Sequence, residues 1–380
     1  MRVPHILFFM TYKRKIINDP VYDGFLSVDD PVILRVIEHP FFQRQRRIKQ
    51  LGLTFLVYPG AMHTRFSHML GALNLMGRAL EVLRQKGVVI TDEECQGAKL
   101  AILLHDIGHG PFSHTSERVL VDVPHEDITL LMMQRVNQEM EGALDLAIRI
   151  FANSYPKHFL HHLVSSQLDM DRLDYLGRDS FFTGVSEGIV GTDRIISMLN
   201  VHNDELVIDE KGIYSVEKFI ISRRLMYWQV YMHKTVIAAD QLLLNILRRA
   251  REIDPTAFRL DPAAPDFLDS FAAVDDDDIM VAIKQWQHSS DEILSTLCRN
   301  MVNRRLPAIR ISNKPFPEPQ HSWFAGTGQL RNRSYDFNDQ EIKVLYKDGR
   351  CLPISEASDQ LDRHFLEKQV TKYYHYFPKD

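Results

Sequence analysis

One stretch, LAILLHDIGHGPFSH from Leu100 to His114, constrains this chain more than any other. Its apolar first part predicts a buried helix, and the glycines and proline that follow predict the end of that helix. The helix delivers His105 and Asp106 side by side, where burying either group without a partner costs several kcal/mol. Because neutral imidazole and carboxylate are both metal ligands, a divalent cation is the simplest partner for the two.

An adjacent His-Asp pair also arises by chance, so the metal hypothesis requires a second histidine and a second aspartate in apolar helices. His68 begins an apolar helix predicted over residues 68–83, and Arg65 lies three residues earlier on the same face. In SSQLDMDRLDYLGRDS, another predicted helix, apolar residues alternate with four aspartates, which are Asp169, Asp171, Asp174 and Asp179. A carboxylate turned inward there needs a cation. Two competing interpretations need no metal. His68 could be a core histidine whose hydrogen bonds are satisfied, and the aspartates could be solvated carboxylates on the surface.

Groups able to transfer protons follow the doublet. His109, His114 and Glu117 come within twelve residues of it, and His125 opens the next predicted helix. His114, Glu117 and His125 are therefore candidates for proton transfer beside the metal. His63, on the loop before the helix predicted over residues 68–83, is given no role.

Composition limits the class of protein. A chain of 380 residues can form one large domain with a smaller appendage. Its net charge of -5 argues against a general nucleic-acid coating role, and its scattered cysteines fit a reducing compartment. The apolar run near the start is too short to cross a bilayer and lacks the features of a signal peptide. We therefore expect no membrane association and a cytoplasmic location.

The pattern of the chain predicts a mostly α fold, with a core over residues 1–253 and a small α+β extension over residues 254–380. A long helix is expected over residues 216–253, a hairpin around Asp348-Gly349 and a closing helix over residues 355–370.

Two charged runs have competing interpretations. FFQRQRRIKQLG is a predicted helix whose basic residues either form a solvated face or lie beside an anion site. VDDDDIMVAIKQWQ places acids at a helix start, which the helix dipole explains without a metal. The spacing of an EF-hand calcium site is absent from this run.

Four pieces of the chain, RFSH, LLHDIGHGPFSH, HED and DMDRLDYLGRD, resemble in order the HD-domain metal phosphohydrolases. More closely, they resemble the branch of deoxynucleoside triphosphate (dNTP) triphosphohydrolases. The resemblance covers residues 20–250 and implies an all-helical HD-domain core, commonly assembled as dimers or tetramers. It implies hydrolysis of dNTPs to deoxynucleoside and tripolyphosphate. Some members of the family are activated by nucleotides bound between subunits.

The resemblance also implies a role for each candidate residue. The implied metal ligands are His68, His105, Asp106 and Asp171. This donor set suits Fe, Mn, Ni, Zn or, more weakly, Mg. The implied phosphate-binding residues are Arg65, Arg172 and Arg223, and the implied acid-base groups are His114, Glu117 and His125. Tyr175 and Asp179 would meet the sugar, Tyr231 would pack on it, and Gln50 and Leu51 would lie near the base and sugar.

Two other functions stay open. The first is an HD-fold phosphohydrolase acting on a nucleoside monophosphate or a cyclic nucleotide. The second is a nucleotide-binding regulatory module without turnover. Four basic groups exceed what one phosphate needs and favour a polyphosphate: Arg65, Arg172, Arg223 and Lys234. We expect a nucleotide substrate and a homo-oligomer, and nothing indicates a nucleic-acid partner.

Overall fold

The computed structural model describes residues 14–22, 24–318, 322–333, 335–337 and 340–379. The apolar run near the start of the sequence lies outside these residues. Helices dominate the described chain and its strands form three small sheets, so the mostly α fold class is confirmed. None of the helices in this part of the chain is long and apolar enough to cross a membrane.

A hairpin of two short strands precedes the helical core; its strands are β1 (Lys15–Asn18) and β2 (Phe25–Val28). A second hairpin, inside the helical core, consists of β3 (Leu199–His202) and β4 (Glu205–Asp209). The helices of the core are α1 (Pro31–Glu38), α2 (Pro40–Arg44), α3 (Arg65–Gln85), α4 (Asp92–Leu104), α5 (Glu117–Leu120), α6 (His125–Glu139), α7 (Asp145–Phe151), α8 (His158–Val164), α9 (Met170–Thr183), α10 (Thr192–Met198), α11 (Ile213–Met226) and α12 (Lys234–Ile253).

The C-terminal extension combines helices with strands. Its helices are α13 (Phe267–Ala273), α14 (Asp276–Trp286), α15 (Glu292–Val302), α16 (Ile354–Ala357) and α17 (Arg363–Glu367). Its strands are β5 (Ala308–Ser312), β6 (Gly326–Arg333), β7 (Lys343–Leu345), β8 (Cys351–Pro353) and β9 (Gln369–Phe377). In one sheet β9 lies between β5 and β6 and is antiparallel to both.

Helix α3 organises the core because it packs against both α4 and α9. Its approach to α9 depends on Gly71, where a Cβ atom would overlap the carboxylate of Asp174. A capping box between Thr91 and Glu94 fixes the start of α4, whose last turn is buried among apolar side chains. The Asp169 side chain caps α9 by accepting the amide hydrogen of Arg172. Helices α3 and α9 carry His68 and Asp171, and His105 and Asp106 directly follow α4.

Several predicted elements differ from the structure. The long helix over residues 216–253 is interrupted by a π-helical turn at Tyr227–Tyr231, after which His233 caps α12. The closing helix over residues 355–370 is wrong, because that segment holds only two short helices and the start of β9. The hairpin around Asp348-Gly349 is confirmed by the pairing of β7 with β8, and Gly349 has a φ of 86°.

The extension is packed onto the core. Strand β7 pairs in parallel with β4, which joins the extension to the second hairpin in one four-stranded sheet. Phe271 and Val344 of the extension are buried in the same hydrophobic cluster as α3 and α4. The division between residues 253 and 254 stays a prediction.

Candidate active site

The four predicted metal ligands converge where α3, α4 and α9 meet. The closest atoms are His68 Nε2, His105 Nε2 and Asp171 Oδ1, which lie 3.1 to 3.3 Å from one another. Asp106 places one oxygen 3.6 Å from His68 Nε2 and the other 3.5 Å from His105 Nε2. Atoms that share one cation at about 2 Å lie about 3 Å apart, so these separations fit a single metal position.

Hydrogen bonds orient both imidazoles toward this point. His68 Nδ1 lies 2.7 Å from Asp174 Oδ2, and His105 Nδ1 lies 2.6 Å from the carbonyl oxygen of Ile102. Both partners are acceptors, so each Nδ1 carries the hydrogen and each Nε2 offers its lone pair. Burial of His68 opposes protonation, but Asp171 and Asp174 raise its pKa to about 10. The same carboxylates favour a cation at this position.

Asp174 is a buried carboxylate that the sequence placed on α9 without a role. Besides His68, it accepts hydrogen bonds from Arg178 and from the hydroxyl group of Tyr22. Burial raises the pKa of Asp174, but Arg178 and His68 bring it down to about 2, so the group is ionised. Its charge holds His68 in the orientation that a metal ligand requires.

We expect Asp174→Asn to weaken metal binding by about 10- to 100-fold, because His68 loses its charged orienting partner. The free energy of unfolding should also fall, since Arg178 loses one of its two carboxylates. Metal affinity is measured by equilibrium dialysis and stability by chemical denaturation. The control is Asp193→Asn, which breaks an exposed ion pair with Arg78. Equal metal affinity in the two variants would contradict the role of Asp174.

Arg65 links the metal ligands to the neighbouring loop. Its guanidinium group pairs with Asp106, and its Nε donates to Ser113 Oγ at 3.0 Å. Burial raises the pKa of Asp106, but Arg65 and nearby histidines hold it well below its usual range. Asp106 is therefore an anion, as a metal ligand must be.

A second cluster consists of Glu117 surrounded by three imidazoles, and we name it the histidine-glutamate cluster. His109 Nδ1 lies 2.7 Å from Glu117 Oε1, and the Nδ1 atoms of His114 and His125 each lie 3.4 Å from an oxygen of that carboxylate. The rings of His109 and His125 stack with centroids 3.9 Å apart. The ligand atoms of these four residues lie within 4.8 Å of one another, so this group could also hold a cation.

The members of this cluster differ in protonation. Burial raises the pKa of Glu117, but its three histidine neighbours hold it far below its usual range. Burial and the charge of Arg65 lower the pKa of His109 to about 4. His125 has a raised pKa, because Glu117 outweighs the effect of its burial. His125 is therefore the better proton carrier, and the exposed imidazole of His114 faces the same carboxylate.

A cavity of about 370 Å³ adjoins both clusters. Near the metal position it is lined by Asp106 and Asp171, and beside the histidine-glutamate cluster by His109, His114 and His125. The predicted substrate-binding residues that line it are Gln50, Leu51, Arg65, Tyr175, Asp179 and Tyr231. A cavity of about 930 Å³ lies elsewhere, beside β2 and α10, and none of the candidate metal ligands lines it. The smaller cavity is therefore the candidate active site.

His63, given no role from the sequence, contacts a residue that lines this cavity. Its Nε2 lies 2.8 Å from Asp179 Oδ1, and its ring stacks on Phe182. The hydroxyl group of Tyr231 donates to the other oxygen of Asp179 at 2.8 Å. His63 and Tyr231 therefore fix the carboxylate of Asp179. Nothing in the local sequence distinguishes His63 from an ordinary loop histidine. His109, in contrast, belongs to the same short motif as His105 and Asp106.

Arg172 and Arg223 are outside the lining of the cavity but next to it, where both charges act on Tyr175. Arg172 pairs with Asp169. The Nε atoms of both arginines are buried and have no hydrogen-bond partner among the described residues. Buried donors of this kind are normally satisfied, so an anion beside Tyr175 would complete them.

The basic run FFQRQRRIKQLG, residues 41–52, contacts the C-terminal extension. Arg44 is buried and donates to the carbonyl oxygens of Val274 and His109, and Arg47 pairs with Asp275. The run does lie beside the cavity, but these cations face the start of α14. Arg44 and Arg47 are therefore bound to protein groups, and the expectation that the run lies beside an anion site stays a prediction.

Asp240 on α12 also lines the cavity, where it accepts a hydrogen bond from Thr115 Oγ1 at 3.0 Å. Burial raises the pKa of this carboxyl from 3.8 to about 7. The folded state therefore binds the proton more tightly than the unfolded state does. The contribution of Asp240 to stability is largest at low pH and is lost as the pH rises toward 7.

We expect Asp240→Asn to become more stable relative to the unchanged protein as the pH rises from about 4 to about 7. The asparagine keeps an acceptor for Thr115 and cannot ionise. The measurement is urea denaturation of both proteins at about pH 5 and about pH 8. A difference in stability that is the same at both pH values would contradict this expectation.

Comparison with known proteins bears on this site. Residues 65–179 match the HD domain, and residues 190–314 match the HD associated region. The uncharacterized protein YwfO of Bacillus subtilis is 37% identical over 310 residues, which is 77% of this chain and 71% of that protein. The deoxynucleoside triphosphate triphosphohydrolase SAMHD1 homolog of Dictyostelium discoideum is 31% identical over 256 residues. That match covers 62% of this chain and 49% of the relative, about half its length.

A solved structure extends the likeness to nearly the whole chain. The crystal structure of a phosphohydrolase from Bacteroides thetaiotaomicron superposes with a TM-score of 0.91 at 46% sequence identity. The superposition covers 97% of this chain and 100% of that one. The matched HD domain begins at Arg65 and ends at Asp179, so it contains all four side chains that meet at the metal position. This chain belongs to the HD-domain phosphohydrolase family.

Proposed function

We propose that this protein is a metal-dependent triphosphohydrolase that converts dNTPs to deoxynucleoside and tripolyphosphate. The observation that carries the proposal is a single cavity lined both by Asp106 and Asp171 of the metal position and by Tyr175, Asp179 and Tyr231. A phosphoester held by the first group and a sugar held by the second would belong to one nucleotide. The likeness to a relative named as a dNTP triphosphohydrolase supports this choice.

His68, His105, Asp106 and Asp171 would hold one divalent cation. Their two imidazole nitrogens and two carboxylates suit Fe, Mn, Ni or Zn and, less well, Mg. The chemistry that a bound cation supplies here is polarisation of a phosphoryl oxygen and a lowered pKa for bound water.

The arginines favour a polyphosphate over a monophosphate. Arg65 borders the cavity beside Asp106, and Arg172 and Arg223 bring unpaired Nε donors to the Tyr175 side. Guanidinium groups bind phosphate oxygens bidentately and offset the charge that develops as the phosphorus-oxygen bond breaks. Three such groups exceed what a monophosphate or a cyclic nucleotide needs.

Protons would move through the histidine-glutamate cluster. Water attacks the α-phosphorus, and the bond from that phosphorus to the 5′ oxygen of the nucleoside breaks. The leaving oxygen must gain a proton, which His114 can donate because its imidazole is exposed toward the cavity. Glu117 keeps His125 protonated. His125 can therefore return a proton to His114, which contacts the same carboxylate. The products are the deoxynucleoside and tripolyphosphate.

The carboxylate that would meet the sugar is fixed by protein hydrogen bonds. Asp179 is held by His63 and Tyr231, so its carboxylate is oriented before a ligand arrives. The carboxylate can accept a hydrogen bond from a sugar hydroxyl, while Tyr175 and Tyr231 pack on the ring. Gln50 and Leu51 would contact the sugar and base.

We also propose assembly as a dimer or tetramer, which light scattering with and without nucleotide can measure.

The test is to incubate the purified protein with each dNTP in the presence of Mn²⁺ or Mg²⁺ and to identify the products by ion chromatography. Tripolyphosphate in amounts equal to deoxynucleoside supports the proposal. Hydrolysis restricted to nucleoside monophosphates or cyclic nucleotides would replace it with the first alternative. Nucleotide binding without any product would replace it with a regulatory module.

A further inference from the structure

We propose that Asp276, the first residue of α14, is a positioning residue that fixes two backbone segments forming one wall of the active-site cavity. Asp276 belongs to the extension and does not line the cavity itself. The inference rests on the proposed function in one respect: the effect of Asp276 on rate is measured through dNTP hydrolysis. We name the two segments the glutamine segment, residues 49–52, and the histidine loop, residues 112–115.

The two oxygens of Asp276 bind the two segments separately. Oδ2 accepts the amide hydrogen of Lys49 at 2.9 Å, and Oδ1 accepts the amide hydrogen of Phe112 at 2.7 Å. The Lys49 ammonium group lies 3.5 Å from the same Oδ2. The side chain of Asp276 is fully buried, and burial raises its pKa. A carboxylate is costly at such a position unless it is hydrogen-bonded, and both of its oxygens are.

The helix dipole does not account for this residue. The start of α14 is capped by Asp275 and Asp278, which exchange hydrogen bonds with each other's backbone in a capping box. Asp277 and Asp278 are exposed, as expected of acids in a first turn. Asp276 alone among the acids at positions 276 to 278 is buried and contacts segments distant in sequence. Its role is therefore outside its own helix.

The histidine loop has a backbone that needs such support. Phe112 and Ser113 have φ values of 54° and 52°, in the left-handed region that side chains with a Cβ atom disfavour. A residue in this region persists only when its surroundings hold it. The Phe112 amide that Asp276 accepts is the first group of this strained turn. The carboxylate therefore stabilises a conformation that the loop would not adopt alone.

The two segments also touch each other. Gly52 has a φ of 50°, and a Cβ atom there would lie 3.1 Å from the carbonyl oxygen of Phe112. Ser113 Oγ lies 3.3 Å from the carbonyl oxygen of Lys49 and accepts a hydrogen bond from Arg65. Because Arg65 in turn pairs with Asp106, a shift of the histidine loop would reach a metal ligand.

Each segment leads directly into groups that the proposed reaction uses. Gln50 and Leu51 follow Lys49 along the glutamine segment, and His114 follows the strained pair in the histidine loop. All three line the cavity. A displacement of reacting groups by about 1 Å can cost about 100-fold in rate. Asp276 thus couples the extension to the placement of the proton donor and of the sugar and base contacts.

The experiment compares Asp276→Asn with Asp277→Asn in the metal-loaded protein of 380 residues. An asparagine offers one acceptor oxygen and an NH₂ group that faces a backbone donor, so one segment loses its anchor. We expect kcat for dNTP hydrolysis to fall about 10- to 100-fold, with the metal content unchanged. Amide hydrogen exchange should accelerate at least about 10-fold in peptides covering residues 47–52 and 109–115, and not in α6 or α7. Asp277→Asn should match the unchanged protein.

Asp276→Glu replaces Asp276→Asn in the experiment if the asparagine variant fails to fold. It keeps the charge and moves the acceptor by about one methylene. We expect a smaller fall in kcat and a smaller rise in local amide exchange. Unchanged kcat, or exchange that is faster across the whole chain, would overturn the inference. The exchange measurement needs no substrate. If the unchanged protein does not hydrolyse dNTPs, the proposed function fails while local exchange still decides the role of Asp276.

Discussion

Replacing His105 by alanine is expected to remove the bound metal and to lower dNTP hydrolysis by at least about 10³-fold, since metal chemistry supplies several kcal/mol of transition-state stabilisation. His105 contributes one of three ligand atoms that lie within 3.3 Å of one another, and its loss opens the site. Asp106→Ala should have the same effect on metal and turnover. Metal per chain is measured by mass spectrometry of the dialysed protein, and turnover by release of tripolyphosphate.

The two variants differ in how cleanly they report on the site. Asp106→Ala leaves the guanidinium group of Arg65 buried without its partner, which destabilises a protein by about 3 to 5 kcal/mol. His105→Ala removes a neutral ligand and is the better test. Its control is His288→Ala, at an exposed position after α14. Full metal occupancy in His105→Ala would refute the assignment of the metal site.

Replacing Glu117 by glutamine is expected to lower kcat by about 10²- to 10⁴-fold while leaving the metal in place. Glutamine is close to glutamate in size but carries no charge, so it no longer holds a proton on His125. The pKa of His125, raised by Glu117 in the unchanged protein, should fall in the variant. Activity that needs a protonated histidine is lost as the pH rises through that pKa. The decline of kcat on the alkaline side should therefore shift to lower pH.

Glu126→Gln is the matched control, because Glu126 lies 3.3 Å from the other ring nitrogen of His125 and is exposed. It should change kcat little, since a solvated carboxylate contributes little to the charge on its partner. Equal losses in Glu117→Gln and Glu126→Gln would show that general electrostatics, and not the histidine-glutamate cluster, controls the rate. Loss of metal from Glu117→Gln would show that the cluster serves the metal position.

The fold could be predicted where the apolar period is strong. The buried helix that ends at Leu104 and the hairpin of β7 and β8 followed from local patterns, because helix caps and turns are set by neighbouring residues. The closing helix over residues 355–370 failed because residues 358–362 interrupt it and because β9 begins at Gln369, where the chain pairs with β6. That pairing depends on residues far away in sequence, which a local pattern does not contain.

By itself, the sequence determined which segments carry imidazoles and carboxylates in apolar surroundings, and its resemblance to the HD-domain family implied His68, His105, Asp106 and Asp171 as the ligands. Only the tertiary structure decided which further groups orient the side chains and loops of the site. Asp174, His63 and Asp276 act through partners 106, 116 and 164 residues away, at His68, Asp179 and Phe112. The physical reason is that periodicity reveals which face of an element is buried, whereas a hydrogen bond across the core depends on how separate elements pack.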